Sequence, residues 1–163
     1  FKQKTAYEIT YGDWSSDVCS SDLQRFEAGT PDASGTVALA AACDFIDELG
    51  REKIHDHEVR MLERVLRELP DALPDARILG SSTAGDRVGV VSFSSDLVHA
   101  HDLATILDRR GVAIRAGHHC AMPLHEQLEL SATARVSVAP FTTDDDLDAL
   151  FEGLRDARSI FER

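Results

Sequence analysis

Val112-Ala113-Ile114-Arg115-Ala116-Gly117-His118-His119-Cys120-Ala121-Met122-Pro123 reads as a strand that delivers a reactive loop. Residues 112–115 are the predicted strand. A cysteine follows two histidines, with Arg115 and Gly117 before it and Pro123 after it. A thiol attacks as the thiolate, which cationic neighbours favour. Arg115 and a protonated His118 or His119 would supply that field. Gly117 allows backbone angles closed to bulkier residues, and Pro123 stiffens the exit. The expectation is an exposed, electropositive loop with Cys120 as nucleophile.

The flanks on both sides show alternating short strands and helices. Downstream, residues 123–130 predict a short helix and 134–138 a strand that puts Arg135 and Ser137 on one face. Thr143 and Asp146 have the spacing of a capping box. The last helix carries Leu147, Leu150, Phe151, Leu154 and Phe161 on one stripe. Upstream, residues 101–110 read as a helix stopped by Gly111. Residues 88–93 form the strongest β run, residues 77–79 a short strand, and 81–86 the turn between them. A helix over 52–69 has an apolar stripe of Ile54, Met61 or Leu62, Val65 and Leu69, with Pro70 and Pro74 at its exit. His55 and His57 fall on its charged, solvated face. A helix over 35–49, capped by Asp32 or Ser34, places Val37, Ala41, Phe45 and Leu49 together, and Gly50 ends it. Cys43 in that helix reads as a small packed hydrophobe. The order α-α-β-β-α-β-α-β-α predicts an α+β architecture, with helices packed on one face of a small β-sheet.

With 163 residues the chain is long enough for one domain with a real core. Its net charge of −12 argues against nucleic acid, whose binding rests on Lys and Arg. No apolar run approaches the roughly 20 residues of a membrane helix. No signal peptide opens the chain, and three widely spaced cysteines make no disulfide framework. A reducing, cytoplasmic setting is expected. The chain opens on Phe1 rather than Met, which predicts a fragment.

The run Arg115 to Pro123, R-A-G-H-H-C-A-M-P, closely resembles the active-site cysteine loop of type II (SUF-type) cysteine desulfurases. Two more motifs carry the resemblance: R-F-E-A-G-T-P at residues 25–31 and A-R-V-S-V at 134–138. These enzymes use pyridoxal phosphate (PLP) to convert L-cysteine to L-alanine, holding the sulfur as a cysteine persulfide for iron-sulfur cluster assembly. The resemblance implies the small C-terminal domain of a fold-type I PLP-dependent transferase over 77–163. It implies linking helices over 25–76 and an incomplete N-terminal segment over 1–24.

By the same resemblance Cys120 carries the persulfide, and His118 or His119 holds or protonates it; which of the two is open. Arg135 binds the substrate carboxylate through its planar fork, and Arg115 orients substrate or persulfide. Gly29 and Thr30 match the segment that reaches across a homodimer interface to the partner's PLP phosphate. His101 in Val98-His99-Ala100-His101-Asp102 matches a histidine of the branch that hands sulfur to a zinc-containing acceptor protein. There the histidine replaces a ligand on the acceptor's zinc. No resident metal is expected in this chain.

Two features depart from the pattern. The PLP Schiff base needs a lysine, and only Lys2, Lys4 and Lys53 are present, none in the histidine-lysine context of the family. The chain alone is therefore expected to be inactive. Residues 12–23, G-D-W-S-S-D-V-C-S-S-D-L, resemble a translated sequencing adapter. They separate Lys4-Thr5-Ala6-Tyr7-Glu8-Ile9-Thr10 from the R-F-E-A-G-T-P motif, segments that are nearly adjacent in the family. Residues 12–23 thus read as an artefactual insertion, and Cys19 carries no function. The competing readings are a selenocysteine lyase or related PLP lyase, a non-catalytic metal module built from His99, His101, His118, His119 and Cys120, and an interaction fragment.

Overall fold

The computed structural model describes residues 32–162, and the chain divides after Phe45 into two units. Helix α1, Ala33–Leu49, spans that division. Asp32 caps its start: the carboxylate accepts from the Gly35 amide at 2.9 Å and from the Ser34 hydroxyl. The Ser34 bond, then the Gly35 amide, hold the Asp32 carboxyl below its usual value. No residue of α1 is buried, and Val37, Phe45 and Leu49 are exposed. Cys43 is likewise exposed, which corrects its reading as a packed hydrophobe. The helical period there reported an apolar stripe, and the described residues leave that stripe uncovered.

From Ile46 onward the elements enclose one core. Helix α2 runs Arg51–Ala72, β1 Arg77–Leu79, β2 Val90–Ser94, α3 Ala100–Asp108, β3 Arg115–Gly117, α4 Met122–Gln127, β4 Thr133–Ser137 and α5 Asp144–Phe161. The predicted order holds. The four strands form an antiparallel sheet in the order β1-β2-β4-β3. Val91 pairs with Val136 and Phe93 with Ala134, and all four are buried. That face meets α2, α3 and α5. Met61, Leu62, Val65, Leu69 and Ala72 come from α2, Leu103 and Leu107 from α3, and Leu147, Leu150, Phe151, Leu154 and Ala157 from α5. Burying each large apolar side chain contributes about 1.5–3 kcal/mol relative to exposure. The period-2 alternation leaves Ser92, Arg135 and Ser137 on the opposite face.

Four boundaries differ from the sequence reading. Helix α2 passes through Pro70 to Ala72, because burial of Leu69, Ala72 and Leu73 outweighs the one amide that proline lacks. Strand β2 starts at Val90, and Val88 stands 77% exposed. Strand β3 is Arg115–Gly117, not 112–115. Val112 and Ile114 pack on the core without joining the ladder, so their alternation reported burial and not pairing. Phe161, expected on the α5 stripe, is 40% exposed because the last turn overruns the core.

Polar contacts fix α2 to α5. Thr143 and Asp146 close the predicted capping box. Arg64 bonds Glu68, Asp144 and Asp148 together, and holds the Glu68 carboxyl below its usual value. His57, expected on a solvated face, instead bonds the Thr142 carbonyl through Nε2 at 3.0 Å.

Candidate active site around Cys120

Strand β3 ends at Gly117, and the chain reverses at once. The Ala121 amide donates to the His118 carbonyl at 2.8 Å, closing a four-residue turn. Its two central residues are His119, with φ 53°, and Cys120, with φ 61°. Positive φ at both central positions is the pattern of type I′ turns, which favour glycine and asparagine. Histidine and cysteine sit there at a cost of about 1–2 kcal/mol each. Gly117, with φ 123°, supplies the conformation the loop was expected to need. The turn holds Cys120 out into solvent, as expected. Pro123 lies in the first turn of α4 and sets the exit.

Two arginines stand beside the turn. Arg115 and Arg135 are direct cross-strand partners, so their side chains share the helix-free face. Like charges in that register repel, and neither has a carboxylate partner among the described residues. The Arg115 Nη2 lies 3.8 Å from the Cys120 sulfur. The Arg135 Nε is buried without a partner. A buried unpaired donor costs about 1–3 kcal/mol. The pair thus forms an anion cradle beside a thiol, with one guanidinium on the sulfur and the other free for a carboxylate.

The two histidines separate in role. The His119 Nε2 faces the Thr133 carbonyl at 3.1 Å, so that nitrogen carries the proton. Its Nδ1 is then a bare acceptor, buried and unpartnered. Burial lowers the His119 pKa, and the Arg135 charge lowers it further. A neutral His119 corrects the expectation that this ring is a protonated cation for the thiol. Desolvation disfavours the imidazolium, and the cation at the sulfur is Arg115. His118 is exposed, with its ring edge-on to His125 at 5.3 Å between centroids.

An open cavity of about 670 Å³ adjoins the turn. His119, Ala121, Leu124 and Leu128 line one side, and Arg87 and Ser92 the other.

Comparison with known proteins places this geometry. A family model described as aminotransferase class-V matches residues 8–150. The chain belongs to that family. Curated relatives are named cysteine desulfurase. One from Cronobacter sakazakii is 47% identical over 130 residues, covering 80% of this chain and 31% of the relative. A probable cysteine desulfurase 2 from Mycobacterium leprae is 44% identical over 140 residues, covering 86% of this chain and 33% of the relative. This class-V chain thus spans about a third of those proteins. Among solved structures, apo cysteine desulfurase from Thermococcus onnurineus NA1 matches at TM-score 0.76 and 30% identity, over 83% of this chain and 34% of that one. The S-sulfonic acid form of the Escherichia coli cysteine desulfurase CsdA matches at TM-score 0.68 and 30% identity, over 83% of this chain and 33% of that one. The α+β arrangement of helices on a small sheet is therefore a portion of the fold-type I architecture.

Other predicted site residues lie elsewhere. His101 is exposed in the first turn of α3, on the covered side of the sheet. The His99 side chain caps that helix, accepting from the His101 amide at 3.4 Å, and the two rings stack at 5.4 Å. No hydrogen bond joins either to the cysteine turn among the described residues. Among them, too, no cluster of three or more His, Cys, Asp or Glu has the spacing to hold a metal. Gly29 and Thr30, and the 12–23 run, fall outside the described residues. Lys53 is the one lysine among the described residues, exposed in the first turn of α2. The described residues therefore do not supply the PLP Schiff base.

Sequence reading missed His125 and Thr133. Both are buried, and they bond to each other behind the turn. A buried polar residue inside an amphipathic helix leaves no periodic signal; only its contacts identify it.

Proposed function

We propose that the complete protein is a PLP-dependent cysteine desulfurase of type II (SUF-type). L-cysteine is its substrate, and Cys120 carries the persulfide. The observation that carries this reading is the exposed cysteine on a turn with positive φ at both centres, touched by Arg115 and flanked by Arg135. The relatives' names point the same way. The Cys120 thiolate attacks the substrate sulfur. An S–S bond forms, the substrate C–S bond breaks, and its electron pair leaves with the carbon that becomes alanine after protonation. The electron sink for that pair lies outside the described residues. Arg135 takes the substrate carboxylate with its planar fork. Arg115 holds the thiolate and then the persulfide, whose charge it complements. The bare Nδ1 of neutral His119 is a buried acceptor for a proton or a hydrogen bond from the bound substrate.

The finer assignments belong to the same reading. Thr30 and Gly29 serve a partner subunit's PLP phosphate in a homodimer. His101, exposed at the start of α3, meets a zinc-containing sulfur acceptor in the cytosol. The chain of 163 residues alone is inactive.

Cys120→Ala in the complete protein tests the reading. The variant is expected to bind PLP normally and to lose persulfide formation. Normal sulfur release by Cys120→Ala would refute it.

A further inference from the structure

The described residues contain two buried polar side chains, His125 of α4 and Thr133 of β4. Buried polar groups without partners are costly, so both must be bonded. They bond each other: His125 Nε2 lies 3.0 Å from Thr133 Oγ1. His125 Nδ1 lies 3.0 Å from the Ala121 carbonyl, the residue just after Cys120. A carbonyl only accepts, so Nδ1 carries the proton. In the neutral ring Nε2 then accepts from the Thr133 hydroxyl. The Gly117 carbonyl, just before the turn, lies farther from that hydroxyl, at 3.5 Å. The Thr133 carbonyl accepts from His119 Nε2 at 3.1 Å, inside the turn itself. Residues at both ends and in the middle of the turn are thus tied to one His-Thr pair.

We propose that His125 and Thr133 are positioning residues that hold the Cys120 turn in its left-handed conformation, with the sulfur beside Arg115. The need for them follows from the backbone. His119 and Cys120 both occupy positive φ, a conformation that persists only where the surroundings over-determine it. Without the pair the turn relaxes toward negative φ, and the sulfur leaves the 3.8 Å contact with the Arg115 guanidinium. The pair touches the turn's backbone and not the sulfur. It acts on the nucleophile's geometry while leaving substrate binding to Arg135. This inference deepens the proposed persulfide role of Cys120 and rests on it.

The test uses the whole chain and an internal control. Iodoacetamide alkylation of Cys120 is followed by mass spectrometry against Cys43, which is exposed on α1. Thr133→Val keeps the shape and removes the hydroxyl. His125→Phe keeps the ring and removes both nitrogens. Each is expected to lower the Cys120-to-Cys43 rate ratio about fivefold, the worth of one net hydrogen bond. Thr133→Ser restores the hydroxyl and is expected to keep the wild-type ratio. In the complete enzyme, Thr133→Val should lower kcat and leave KM for cysteine unchanged. An unchanged ratio in both Thr133→Val and His125→Phe overturns the proposal, as does an equal fall in Thr133→Ser. Should the variants fail to fold, the imidazole ¹⁵N spectrum of the unaltered chain decides. A proton on His125 Nδ1 with a hydrogen-bonded Nε2 supports the clamp, and a proton on Nε2 alone overturns it. Loss of the persulfide reading would appear separately, as an unmodified Cys120 in the complete enzyme given cysteine, with these ratios unaffected.

Discussion

Cys120 and His119 occupy a backbone region that L-residues avoid, and the thiol is presented because of it. The strain has a measurable consequence. Cys120→Gly and Cys120→Ala both remove the sulfur, but only glycine accepts φ 61° freely. Cys120→Gly is expected to be more stable than Cys120→Ala by about 1 kcal/mol in urea unfolding. Arg135 has a different task. Its Nε has no partner, and a substrate carboxylate would supply one. Arg135→Ala in the complete enzyme should raise KM for cysteine about ten- to hundredfold, the worth of a charge-assisted bond of about 1.5–3 kcal/mol. His119 gives a pH signature. Its pKa is lowered in the folded protein by burial, then by Arg135. The unfolded chain therefore binds more protons just below the ordinary imidazole value of about 6.5. Stability falls as pH drops from there and levels off below the folded pKa. His119→Asn should remove that part of the decline, read as the difference between urea midpoints of the two proteins across pH 7 to 5.

Among the elements, the pairing of α3 with α5 is the closest. Gly153 faces Leu107, and a Cβ at Gly153 would overlap the Leu107 side chain. Gly153→Ala should therefore lower the melting temperature, although alanine is the better helix former by about 1 kcal/mol. Leu107→Ala in the same chain should recover part of the overlap term, seen as non-additivity in a double-mutant cycle. The elements also show what the sequence could convey. The α2 stripe Met61, Leu62, Val65 and Leu69 was legible because burial follows the helical period. The capping box of α5 was legible because two residues at fixed spacing satisfy each other. The edges of β2 and β3 were not, because alternation at Val112 and Ile114 records burial while the ladder depends on which strand lies alongside. Cys120, Arg115 and Arg135 were legible from their motifs, but the cross-strand contact of the two arginines needs the sheet register. His125 and Thr133 were invisible for the same reason: they lie eight residues apart and meet only where α4 folds back on β4.

At the scale of the whole molecule, the chain holds a nucleophile and an anion cradle on one sheet, and its one described lysine lies on α2, exposed and outside the site. The chain with added PLP is expected to show no aldimine absorption band and no alanine release from cysteine. A band with alanine release would contradict the assignment of PLP attachment to other parts of the complete protein. The central claim is that Cys120 is where the sulfur rests. Its most direct test is mass spectrometry of the complete protein after incubation with L-cysteine under non-reducing conditions. We predict one extra sulfur on the peptide bearing Cys120, formed together with alanine. Alanine release with Cys120 unmodified throughout turnover would contradict the account.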